Sequence, residues 1–178
     1  MSILVSYASK YGSTQGIAER IGATLKAEGL EVDVMPMTSA DDLSGYDAFV
    51  IGSAAYIGSW LKEARQFVLR NREVLMAKPV WLFSSGPIGT ATVDKQGRDV
   101  LVASEPKEFA ELEQSLRPRG RHVFFGALDR KKLRGVHRFF TWSPASEKLE
   151  GDFRDWSQID EWARSIVHEL VAIPTAVG

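Results

Sequence analysis

The stretch ILVSYASKYGST, Ile3 to Thr14, decides how the chain reads. An apolar strand runs into a turn of small hydroxyl residues and then into a helix that carries Ile17, Ile21 and Leu25 on one face. A strand that ends just before Ser9, Gly12, Ser13 and Thr14 aims free backbone N–H groups at one point, where the helix dipole adds roughly half a positive charge. The hydroxyls add donors, so an anion can be held there without a dedicated arginine. The turn lacks the GxxxxGK(S/T) pattern, and no GxGxxG follows any strand, which disfavours nucleoside triphosphates and dinucleotides and favours a mononucleotide phosphate. The plain alternative is an ordinary strand-to-helix turn capped by Ser13 or Thr14.

Working outward, further apolar runs occur at 48 to 56 (AFVIGSAAY), 79 to 85 (PVWLFSS) and 122 to 128 (HVFFGAL). They lack strict alternation, as strands buried on both faces of a parallel sheet do. The run EVDVMPM, 31 to 37, alternates more and carries Pro36, which suits an edge strand. Helical periodicity falls between the runs: 14 to 28, ended by Gly29; one long segment with Leu61, Ala64, Val68 and Leu75; a third with Phe109, Leu112 and Leu116; and a last with Ile159, Trp162, Ile166 and Leu170. The region 38 to 45 leaves space only for a loop or short helix. This alternation predicts an α/β doubly wound five-stranded parallel sheet, order 2-1-3-4-5, with helices on both faces. The expected organisation is one domain, 1–178, with an insertion at 129–155 after or within the fifth strand and a fraying tail at 171–178.

In that order the ligand crevice lies at the carboxyl ends of the strands, between the first and third. Three loops meet there: Ser9 to Thr14; SAAYIGSW, holding Ala55, Tyr56, Ile57, Gly58 and Trp60; and SSGPIGTAT, holding Ser85, Gly86, Pro87, Gly89, Thr90 and Thr92. One loop grips phosphate and two clasp a flat ring. Tyr56 and Trp60 offer stacking surfaces, and the glycines let backbone groups approach the polar edge of a heterocycle. For Trp60, packing on the core as a helix-entry residue is an equal alternative.

Absences narrow the chemistry. The chain has no cysteine, which removes thiol nucleophiles, disulfides and iron–sulfur or cysteine-ligated zinc sites. His122, His137 and His168 lack metal-ligand spacing, and no GxSxG is present. Tyr7, Ala8 and Ser9 stand where a phosphoacceptor receiver needs acids. With no strong acid–base pair, a cofactor must carry the chemistry. No signal-peptide pattern opens the chain and no apolar run approaches the roughly 20 residues of a membrane span, so a cytoplasmic location is expected.

These features are similar to the flavodoxin-like superfamily over nearly the full length. SKYGST resembles its FMN-phosphate loop, with Ser9, Tyr11, Ser13 and Thr14 at phosphate-contacting places and Lys10 at a variable one. VIGSAAYIG, FFGALDR and GDFRDWSQIDEWARSI resemble the menaquinone-dependent protoporphyrinogen IX dehydrogenases of that superfamily, as does the insertion at 129–155. Two departures are Tyr56 and Ser59, where that family commonly has arginine and histidine, and the polar SPASEKLEGDF, which replaces an apolar helix. The resemblance implies FMN, a reduced ring as substrate and a quinone acceptor. Its isoalloxazine would lie between Ala55–Trp60 and Ser85–Thr92, with the Gly58 peptide able to turn a carbonyl toward flavin N5. Electron carriage, NAD(P)H:quinone reduction and a cofactor-free interaction domain remain the rival readings.

The formal net charge is −1, yet Arg117, Arg119, Arg121, Arg130, Lys131, Lys132, Arg134 and Arg138 crowd one stretch whose only acid is Asp129. With Phe139, Phe140 and Trp142, the segment 130–142 suits porphyrin propionates, an acidic redox partner or the headgroups of a membrane met peripherally. A solvated loop is the alternative. No nucleic-acid module accompanies the charge, and a monomer and an oligomer are both compatible with the sequence.

Overall fold

The computed structural model describes residues 1–132 and 150–172, except for the side chain of Arg130. Its main sheet contains β1 (Ser2–Ala8), β2 (Glu31–Pro36), β3 (Ala48–Tyr56), β5 (Val80–Ser85) and β6 (Gly120–Phe124), all parallel, in the order β2-β1-β3-β5-β6. The two-residue strand β4 (Ser59–Trp60) folds back antiparallel onto the end of β3. With β4 set aside, this is the expected 2-1-3-4-5 order. Helices α1 (Ser13–Ala27) and α6 (Trp156–Val171) cover one face, and α2 (Lys62–Arg70), α3 (Arg72–Met76) and α5 (Lys107–Leu116) cover the other.

Period-2 geometry explains why the strands read as continuous apolar runs. Ile3, Val5, Val50, Trp81 and Phe83 point into the layer with Ile17, Ile21, Leu25, Ile159 and Ile166. Leu4, Phe49, Ile51 and Leu82 point the opposite way, onto Ala64, Phe67, Leu75 and Phe109. Both faces are buried, so the strands lack a solvent face on which polar residues would alternate, and Ser6, Ser53 and Ser84, inside β1, β3 and β5, are small and buried. Close packing also fixes Gly52, because a Cβ there would lie 2.0 Å from the Phe83 ring. The edge assignment of the second strand holds: β2 pairs with β1 alone, and Pro36 sits opposite Tyr7 at its end.

Two expectations change. The long helix through Leu61 and Leu75 is two helices, broken at Asn71, whose side-chain amide donates to the Phe67 carbonyl at 2.9 Å and ends α2. The run HVFFGAL is two strands, since the chain leaves the sheet after Phe124. There the Gly126 N–H donates to the Pro87 carbonyl and the Phe153 N–H to the Gly126 carbonyl. Ala127–Leu128 (β7) then pairs antiparallel with Gly151–Asp152 (β8), so the insertion leaves the body on a two-stranded ribbon. The connection after β5 contains the short helix α4 (Val100–Ala103), capped by the Asp99 side chain. Residues 133–149, including His137, Phe139, Phe140 and Trp142, and 173–178 lie outside the described residues.

Behind the first turn, α1 is stapled to α6. Arg20 donates from Nε and Nη2 to Asp160 at 2.7 and 2.6 Å, and Thr24 Oγ1 donates to the same carboxylate at 2.7 Å. These bonds, the Arg20 ones foremost, hold the Asp160 carboxyl down to a pKa of about 2.

Candidate functional site

The first turn is built to present donors. Gly12, at φ +89°, is the residue before α1, a left-handed conformation that a β-branched residue resists. Its N–H donates to Ser9 Oγ at 3.1 Å, and Ser13 Oγ accepts the Ala127 N–H at 2.8 Å. Each hydroxyl is thereby fixed as an acceptor, while its own proton stays available for a ligand. The opening N–H groups of α1 have no intrahelical acceptor, and the first turn carries no acid. This donor set fits a phosphate.

Cations add to it. The Lys132 ammonium lies 4.0 Å from where a Gly12 Cβ would stand, and Lys10 Nζ sits 5.6 Å from the centre of the Tyr11 ring. Arg154 donates from Nη1 to the Ser13 carbonyl at 3.3 Å, stacks on Trp156 at 4.4 Å and pairs with Asp152 at 2.5 Å. In the sequence Lys132 is one member of a basic run. Its place beside Gly12 follows from the ribbon, a long-range pairing with no local signal.

The loops do converge. Thr14 Oγ1 and Ser85 Oγ share a hydrogen bond of 2.8 Å, joining the first turn to the end of β5. A Cβ on Gly86 would meet the Ala55 carbonyl at 3.3 Å, which brings the β5 loop against the end of β3. Gly126 lies where the loops cross: a Cβ there would stand 3.3 Å from Ser13 Oγ and 3.7 Å from the Pro87 carbonyl. Gly89, at φ +109°, and Thr90 border an open cleft of about 670 Å³ walled by Phe125, Phe153 and Trp156 together with Asp152, Arg154 and Asp155. Burial and the neighbouring Tyr11 push the Tyr56 hydroxyl up to a pKa of about 12, so at neutral pH it is a donor and not a base.

Three expected site residues have buried side chains. Trp60 is 2% exposed; its ring packs edge-on to Phe109 at 5.7 Å, and its indole N–H donates to Ser84 Oγ at 3.3 Å. It therefore belongs to the core, because β4 turns it inward and leaves Tyr56 and Ile57 outside. Thr14 and Ser85 are buried with their hydroxyls against each other, tying the loops together, while the Thr14 N–H stays among the opening donors of α1.

At the ring end, Tyr56 to Ser59 form a tight hairpin with positive φ at both central residues, Ile57 at +52° and Gly58 at +69°. That geometry suits the strand twist, but it is uncommon for a β-branched residue. Ile57 is fully exposed, and the Gly58 carbonyl accepts the Lys107 N–H at 3.0 Å. The Gly58 carbonyl is thus turned toward α5. Ala55 is partly buried below the turn.

Known proteins match this arrangement. The flavodoxin domain family matches residues 4–154. Protoporphyrinogen IX dehydrogenase (quinone) of Escherichia coli strain K12 is 24% identical over 177 residues, covering 94% of this chain and 96% of its own. A flavodoxin from the domain Archaea superposes with a TM-score of 0.56 at 19% identity, covering 96% of this chain and 99% of that one. Rubredoxin oxygen:oxidoreductase from Desulfovibrio gigas superposes with a TM-score of 0.60 at 15% identity, and this chain, 96% covered, spans about a third of it, 36%. From turn, sheet order and family match together, the chain belongs to the flavodoxin domain family and is an FMN-binding protein of that oxidoreductase fold.

Proposed function

We propose that this protein oxidises protoporphyrinogen IX or a related reduced ring and passes the electrons to a quinone. The full-length similarity to a protoporphyrinogen dehydrogenase carries this reading. The cleft beside Gly89 and Thr90, which sets the Phe125, Phe153 and Trp156 rings beside the Arg154 guanidinium, supports it. FMN, when bound, supplies the electron and hydride chemistry. The protein's own groups bind and orient. Ser9, Lys10, Tyr11, Gly12 and Ser13 hold the phosphate end, with Lys132 offsetting its charge. Ala55, Tyr56, Ile57 and Gly58 form one wall for the ring, and Gly86, Pro87, Gly89 and Thr90 form the other. Within these loops no carboxylate or imidazole is present, and Tyr56 stays protonated, so protons leave the ring to solvent or to the acceptor. Of the hairpin's two inner carbonyls, that of Ile57 is the one we assign to flavin N5, since α5 engages that of Gly58.

The whole chain acts as one domain in this proposal. Among the described residues no helix is long and apolar enough to cross a membrane. Contact of the 130–142 stretch with a membrane or an acidic partner is proposed from the sequence alone, as are a cytoplasmic location and any self-association. Anaerobic mixing of the FMN-loaded protein with protoporphyrinogen and a soluble menaquinone analogue tests the substrate. Porphyrin fluorescence should rise with quinone consumption. Flavin that turns over with a redox protein, and shows no porphyrin formation, would instead establish an electron carrier.

A further inference from the structure

The buried carboxylate of Glu108 takes no part in the chemistry just described. It is 3% exposed, in the first turn of α5. Its Oε2 accepts the Trp60 N–H at 3.0 Å, while its Oε1 has no hydrogen bond and faces Arg65 Nε at 3.8 Å. Three consecutive residues of α5 act on the same hairpin: the Lys107 N–H holds the Gly58 carbonyl, Glu108 holds the Trp60 N–H, and the Phe109 ring packs on the Trp60 ring. The hairpin tip between those anchors holds Ile57 in a left-handed conformation that β-branched residues rarely adopt. Such a conformation persists only where its surroundings over-determine it.

We infer that Glu108 is a positioning residue: from behind the sheet edge its carboxylate holds the 57–60 hairpin in the shape presented to the flavin, and so sets the relative affinity for oxidised and reduced FMN. This rests on the reading of Ala55 to Gly58 as a ring wall. Two conservative variants separate reach from charge. Glu108→Asp keeps the charge but withdraws the oxygen from Trp60; Glu108→Gln keeps an oxygen at full reach and removes the charge. Dissociation constants for oxidised and reduced FMN, measured anaerobically below each variant's melting temperature, give the ratio of interest. Glu108→Asp should change that ratio about tenfold, equivalent to about 30 mV in the two-electron couple of oxidised and fully reduced flavin. Glu108→Gln should leave it within about threefold. A ratio that moves as much in Glu108→Gln as in Glu108→Asp, or in neither, overturns the inference while the site reading stands. A wild-type protein that binds no FMN overturns both.

Discussion

The two ends of the site are held in different ways. At the phosphate end the donors come from a helix start and from two hydroxyls, each fixed by a backbone N–H, Gly12 to Ser9 within the turn and Ala127 to Ser13 from the distant ribbon. At the ring end a two-residue turn with an unfavourable Ile57 is held by α5, some fifty residues away in the chain. Pre-organised donors confer affinity, whereas a strained turn held from behind sets which form of a ligand is preferred. Substitutions at the first end should therefore change how tightly FMN binds, and substitutions at the second should change which oxidation state binds best.

The largest expected effect is at Gly12. Valine at φ +89° would distort the cradle, and FMN affinity should fall about a hundredfold by fluorescence titration, more than affinity for riboflavin, which lacks the phosphate. Lys132→Ala comes next: FMN affinity should fall about tenfold, riboflavin affinity should stay within about threefold, and the difference should shrink in high salt. Equal losses for both ligands would remove Lys132 from the phosphate site. Ile57→Gly relieves the turn and should leave the apoprotein unchanged or stabilised by up to about 1 kcal/mol in urea melts. A clear destabilisation would show that Ile57 is not strained.

The smallest effect is a pH dependence at the far edge of the sheet. His122 lies between Phe124 and Trp162, with ring centroids at 4.4 and 6.1 Å, and burial lowers its pKa while a bond with Gln158 partly opposes this. The unfolded chain takes up a proton near pH 6.5 and the folded chain resists it, so stability falls as pH drops below about 6.5. His122→Phe should flatten the decline in melting temperature between pH 7 and 5. Asp160 behaves likewise at lower pH: its contribution is present above the unfolded carboxyl value and is lost as pH falls toward about 2. Neither change should alter the FMN affinity ratio, which keeps fold stability separate from both ends of the site.

Much of this was legible in the chain because the determinants were local. Ile3 to Thr14 gave the strand, the turn and the helix face together, and apolar runs without alternation implied a parallel sheet with both faces covered. Trp60 was ambiguous because a two-residue strand has no periodic signature, and only the pairing of Tyr56 with Ser59 shows that the next side chain points inward. The roles of Lys132, Gly126 and Glu108 depend on contacts between distant segments, which neither propensity nor spacing records. Asn71 was a local signal that helix periodicity on both sides concealed.

The central claim is that Ser9 to Ser13 bind a flavin through its phosphate. Titrating the purified protein with FMN, riboflavin and FAD while following flavin fluorescence tests it directly. The account predicts that FMN binds tightest, that riboflavin binds at least about tenfold more weakly, and that inorganic phosphate competes with FMN but not with riboflavin. Equal affinity for FMN and riboflavin, or no flavin binding at all, would contradict it.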